Sequence, residues 1–143
     1  MGIKFAPKAG QVLICDFSGY VQPEICKRRP VVIISPNGLR RPQLVTVVPL
    51  STTPPKPVEL YHYKLTANPI PGDPAGEVWA KCDLVATVRF ARLDRFMLGN
   101  RNWQTGAVSM SQVRAIRLGV TRSVGIDPAD PLTYTGDDSG SSG

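Results

Sequence analysis

Lys27-Arg28-Arg29-Pro30 runs straight into Val31-Val32-Ile33-Ile34, joining fixed positive charge to four consecutive apolar, β-branched residues. A proline at the strand entrance removes a backbone donor before the ladder begins, which leaves Arg29 at a rigid strand mouth. Its guanidinium stays charged at physiological pH and presents five donors in a planar fork, a receptor suited to phosphate. A second apolar run, Leu44 to Leu50, ends in the hydroxyls of Ser51, Thr52 and Thr53. A third, Glu77 to Asp83, places Lys81 and Asp83 two residues apart. Strand alternation would point both to one face, so that cation and carboxylate address one substrate. These are the parts of a phosphate-chemistry site.

Those residues need strands to position them. Alternating or continuous apolar runs predict strands over about 11–17, 30–35, 44–50, 58–66 and 77–82, with another near 84–89. Proline- and glycine-rich stretches at 54–57 and 68–74 read as loops. Ser109 and Gln112 form a capping-box pattern, after which Val113, Ile116, Val120 and Val124 recur on one helical face; Gly119 weakens that helix. Short strands closing on themselves plus one packed helix predict a mainly β fold, a small SH3-like barrel with a C-terminal helix.

A chain of 143 residues suits one domain. No apolar stretch approaches the roughly 18 residues of a spanning helix and no signal-peptide pattern opens the chain, so the expectation is a cytoplasmic protein without membrane attachment. Cys15, Cys26 and Cys82 are odd in number and lack metal-ligand spacing, so they read as reduced thiols, with Cys15 and Cys82 packed inside; neither metal nor other cofactor is expected. Residues 1–126 hold all 17 Lys and Arg but 7 of the 11 Asp and Glu, a formal +10 that favours a polyanionic partner. Residues 127–143 are acidic and Gly/Ser-rich, and are expected to be a disordered tail beyond the functional domain.

Four segments in order resemble the MazF/PemK (Kid) family of toxins from toxin–antitoxin pairs: Gly10 to Phe17, Glu24 with Arg29-Pro30, Val47 to Thr52, and Val78 to Asp83. Two departures stand out. Ile25-Cys26-Lys27-Arg28 replaces a smaller segment of the family, and Pro23 stands where the PemK branch has a histidine. The resemblance implies a CcdB/PemK-like barrel and a sequence-selective, metal-independent endoribonuclease acting on single-stranded RNA. It also implies a homodimer and a cognate acidic antitoxin.

For RNA cleavage through the substrate's own 2′-OH, a base must take that proton, cations must meet the developing charge and an acid must protonate the leaving 5′-oxygen. On this reading Arg29 stabilises charge and Ser51 and Thr52 position phosphate oxygens. Asp83 is the preferred base, Lys81 the preferred acid, and Glu24 an alternative base or an orienter of Arg29. Lys27, Arg28, Thr53, Lys56 and Trp103 are candidate RNA contacts. Plainer roles exist for several of them. Lys81 and Asp83 could be a surface ion pair, Ser51 and Thr52 turn formers, and Trp79 a core residue; His62, the one histidine, has the chemistry of a general base, but between two tyrosines it reads rather as packing or nonspecific stacking. The rival functions are a noncatalytic SH3-like module binding RNA or protein, and a gyrase poison of the CcdB kind, although Val124-Gly125-Ile126 lacks the tryptophan expected there.

Overall fold

The structure, a computed structural model, describes residues 2–38, 41–73 and 76–134. Three strands form its centre: β1 (Gln11–Asp16), β2 (Arg28–Ile33) and β3 (Leu44–Ser51), paired antiparallel in that order. Both faces of this sheet are covered. Val12, Val32, Ile34, Val48 and Leu50 face one buried cluster, whereas Leu13, Cys15, Val31, Ile33, Val45 and Val47 face another. Successive side chains alternate between the two, which is why the run Val31 to Ile34 is apolar without interruption.

The outer edge of β3 serves two partners, β6 (Ala86–Arg89) along its first half and β5 (Trp79–Lys81) along its end. The outer edge of β1 likewise takes β7 (Leu93–Asp94) and β10 (Gly106–Ala107), and β4 (His62–Lys64) adds to β5. The fold is thus mainly β and antiparallel, as expected, with the hydrogen-bonded path running β10-β1-β2-β3-β5-β4 without joining its own ends among the described residues. A separate hairpin pairs β8 (Phe96–Met97) with β9 (Trp103–Gln104).

Helix α1 (Met110–Ser123) covers the first cluster with Ile116 and Val120, and Val113 is also buried. Ser109 caps it by accepting the Gln112 N–H at 3.3 Å, but the reciprocal half of the expected capping box is not made. The Gln112 side chain instead accepts from the Thr66 N–H at 3.0 Å, the Thr66 hydroxyl at 3.2 Å and the Tyr63 hydroxyl at 3.5 Å, fastening the helix start to β4. Val124 falls beyond the last turn and is exposed, so it does not extend the apolar face.

Three other expectations need correction. The strand placed at 58–66 shrinks to three residues, because Val58 and Leu60 lie exposed in the proline-bearing loop before it. Trp79 is half-buried rather than core: alternation turns Ala80 inward, and the indole N–H donates to Glu77 at 3.1 Å. The segment read as a disordered tail begins with a paired hairpin, β11 (Ile126–Asp127) with β12 (Asp130–Tyr134); residues 135–143 lie outside those described.

Gly119 has a packing role that its low helix propensity hides. A Cβ there would lie 2.6 Å from the Cys82 sulfur and 2.8 Å from the Tyr61 carbonyl oxygen, so only glycine lets α1 approach so closely. Gly119→Ala should therefore destabilise despite its better helix propensity, by about 1–3 kcal/mol, lowering Tm by roughly 3 °C or more. A thermal melt no lower than wild type would show that the helix has room to move away.

Candidate active site

The register explains how distant residues meet. Val31 pairs with Pro49, so two residues earlier Arg29 comes opposite Ser51; Ser51 pairs with Trp79, so two residues on from Trp79 Lys81 comes opposite Pro49. Residues opposite one another across a sheet share a face. Arg29, Ser51 and Lys81 therefore emerge on one face at neighbouring strand ends, and they line a common cavity of about 710 Å³ with Glu24, Cys26 and Thr53.

The loop between β1 and β2 supplies the cavity's other wall. Its base is tied by Arg92, which donates to the Asp16 and Ser18 carbonyls, both at 2.9 Å, and stacks over Tyr20. The Phe17 N–H closes the loop onto the Lys27 carbonyl at 2.9 Å, and Lys27 turns the chain into β2 through a left-handed φ of 72°. Arg28 lies across from Asp16 in β1. The Ser18 hydroxyl and N–H hold the Asp16 carboxyl below its usual range, and the charges of Arg28 and Arg92 add to that.

Arg29 itself is exposed, and among the described residues no hydrogen bond or ion pair engages its guanidinium. Glu24 does not pair with it; that carboxylate accepts the Val21 N–H at 3.3 Å. Ser51 takes the turn-forming role that its sequence allowed. Its hydroxyl donates to the Thr53 carbonyl at 3.2 Å and accepts the Thr53 N–H at 3.1 Å, a local turn that presents Thr53 to the cavity. Thr52 is exposed and lines neither this cavity nor its neighbour.

Asp83 stands apart from the expected arrangement. The strand ends at Lys81, and Cys82–Leu84 form a 3₁₀ turn, so the two-residue alternation that was to align Lys81 with Asp83 does not apply. Asp83 lines a second cavity of about 290 Å³ with Lys56, Glu59, Tyr61 and His62. Lys81 and Leu84 belong to both cavities and form the ridge between them. No surface ion pair joins Lys81 to Asp83; among the described residues Asp83 has one such contact, with His62 at 4.0 Å. Partial burial raises the Tyr61 pKa, and the charges of Asp83 and Glu59 raise it further.

Of the candidate RNA contacts, Thr53 and Lys56 border these two cavities, and Lys27 and Arg28 lie exposed beside Arg29. Trp103 does not join them: it lines a separate cavity with Phe5, Asp94 and Arg95, and the Arg95 guanidinium lies 5.6 Å from the ring centroid. His62 lines the second cavity and packs against the Tyr61 ring, in keeping with the packing role read from its neighbours. It pairs with Lys81 across β4 and β5, a register spanning a long loop, and no local pattern announces it. Among the described residues no three His, Cys, Asp or Glu side chains gather as metal ligands would, and no helix is long and apolar enough to cross a membrane.

This build is shared with two solved toxin structures. MazF (Form-I) from Deinococcus radiodurans superposes with a TM-score of 0.60 at 17% identity, over 82% of this chain and 96% of that one. The Mycobacterium tuberculosis toxin MazF-mt6 does so with a TM-score of 0.55 at 21% identity, over 78% and 93%. In sequence, the protein YifN of Escherichia coli (strain K12) is 34% identical over 116 residues, covering 66% of this chain and 76% of that protein. Residues 8–117 match the family described as PemK-like, MazF-like toxin of type II toxin-antitoxin system, and the chain belongs to that family.

The cysteines divide by environment. Burial pushes the Cys15 and Cys82 thiols up to about 12, with Arg92 partly opposing this for Cys15, whereas Cys26 lies half-buried in the wall of the larger cavity. Thiolate is the reactive form, so a maleimide at neutral pH should modify Cys26 alone in the folded protein and all three only after denaturation. Mass spectrometry of the labelled peptides checks this; early modification of Cys15 or Cys82 would show that the core opens readily.

Proposed function

We propose that the chain is a sequence-selective, metal-independent endoribonuclease toxin that cleaves single-stranded RNA by 2′-OH attack, leaving a 2′,3′-cyclic phosphate and a 5′-hydroxyl. The observation that carries this reading is the Lys81 ridge, flanked by the unpaired Arg29 on one side and Asp83 on the other. A scissile phosphate seated on the ridge has a cation beneath it, a planar donor fork within one cavity and a carboxylate within the other. Family membership supports the choice of RNA, a homodimeric assembly and neutralisation by a cognate antitoxin.

The roles follow from chemistry. Asp83 removes the 2′-proton, Arg29 stabilises the charge that builds on the phosphorane oxygens, and Lys81 protonates the leaving 5′-oxygen. Ser51 shapes the turn that offers Thr53 to a phosphate oxygen, and Thr52, Lys27, Arg28 and Lys56 contribute contacts further along the strand. Glu24 orients the substrate beside Arg29, or takes the base role in place of Asp83. The toxin unit is taken as residues 1–126.

Arg29→Ala should slow the chemical step at least ~10²-fold while the protein stays folded, and Arg29→Lys should rescue poorly because a point charge cannot reproduce the bidentate fork. Single-turnover assays with the folded variants decide this. Near-wild-type cleavage by Arg29→Ala would remove the site, and a wild-type protein that binds RNA without cutting it would be a noncatalytic binding module. Glu24→Gln should cost less than Asp83→Asn, and the reverse order would move the base to Glu24.

Because the nucleophile comes from the substrate, replacing the ribose 5′ of the scissile bond by deoxyribose should abolish cutting there while binding survives. Cleavage should persist in excess EDTA, and affinity should fall with salt at a log–log slope of about −0.7 per neutralised phosphate. Efficient cutting of the deoxy-substituted strand, or strict dependence on added divalent metal, would overturn this mechanism.

A further inference from the structure

We infer that His62 is a positioning residue for Asp83, fixing the carboxylate beside the Lys81 ridge through its Nε2–H. The inference rests on the reading of Asp83 as the base. His62 is held at three points: Nδ1 accepts the Glu59 N–H at 2.9 Å, the Tyr61 ring lies 4.6 Å from it between centroids, and its backbone pairs with Lys81. The strand that carries it is fastened to α1 through Gln112. Its side chain is only 7% exposed, so a base of the substrate cannot stack on it, and the packing role read from the neighbouring tyrosines accounts for neither ring nitrogen.

The hydrogen bond at Nδ1 fixes the tautomer. With Nδ1 accepting, the ring proton resides on Nε2, and that edge faces the Asp83 carboxylate, whose Oδ1 lies 4.0 Å away. Neither nitrogen is then free to take a proton from the substrate, which excludes His62 itself as the base. Asp83 is 38% exposed, and among the described residues no group hydrogen-bonds its carboxylate. The gap exceeds a direct hydrogen bond, but contacts of this kind tighten when substrate binds, and a small rotation of the exposed carboxylate closes it. A donor on Oδ1 leaves Oδ2 free to accept the 2′-proton. The rigid partner is the imidazole; the group being aimed is the carboxylate.

Two substitutions separate the two ring nitrogens. Asparagine places an acceptor near Nδ1, so His62→Asn keeps the Glu59 cap but loses the donor toward Asp83. Glutamine places a donor near Nε2, so His62→Gln does the reverse. The expected result in single-turnover cleavage by the full chain is a rate about ten- to a hundredfold lower for His62→Asn, with the protein folded and RNA affinity at the wild-type level. His62→Gln should recover most of that rate while melting lower, and His62→Asn should have no further effect in an Asp83→Asn background. A wild-type rate for His62→Asn beside a slow Asp83→Asn would overturn the inference alone, as would the same fold loss from His62→Asn in both backgrounds. A wild-type rate for Asp83→Asn would instead overturn the reading of Asp83 as base, and the inference with it.

Discussion

Burial of β1, β2 and β3 on both faces is the constraint from which the rest of the molecule follows. A sheet whose every inward residue meets a packed cluster has no place for charge along its length, because a desolvated ion without a partner is destabilising by several kcal/mol. The cations and hydroxyls are accordingly displaced to the strand ends, where Arg29, Ser51 and Lys81 emerge together. The same constraint requires α1 on one side and the 3₁₀ turn Cys82–Leu84 beneath it, so the apolar packing that excludes charge also sets where charge collects.

The extent to which this was legible in sequence tracks the range of the interactions involved. Strands buried on both faces leave uninterrupted apolar runs, so β1, β2 and β3 could be read to within a residue or two, and the Ser109 cap marked the start of α1. The placement of Arg29, Ser51 and Lys81 was legible because each sits where an apolar run begins or ends. The two-residue strands from β7 to β10 leave no periodicity to detect.

Asp83 was misplaced for a local reason, and the position of His62 was hidden for a distant one. The turn at Cys82 breaks the strand one residue after Lys81, and nothing in Lys-Cys-Asp distinguishes a strand from a 3₁₀ turn there. His62 comes opposite Lys81 only through a register set across the loop that joins β4 to β5, and such pairings are visible only once the sheet is assembled. Gln112 shows the same effect on a smaller scale: its spacing from Ser109 announced a cap, whereas three donors from β4 and the adjoining residues draw its side chain away.

The ridge at Lys81 carries a consequence of shape that is separate from its charge. The two cavities are divided by Lys81 and Leu84; on the proposed reading, neighbouring nucleotides enter them only if the RNA bends sharply at the phosphate between and the two bases part from each other. On the proposed reading, a strand held in a duplex cannot make that bend without losing its stacking and its pairing. Discrimination against double-stranded substrates would then be a matter of stiffness, imposed by the saddle before any base is read.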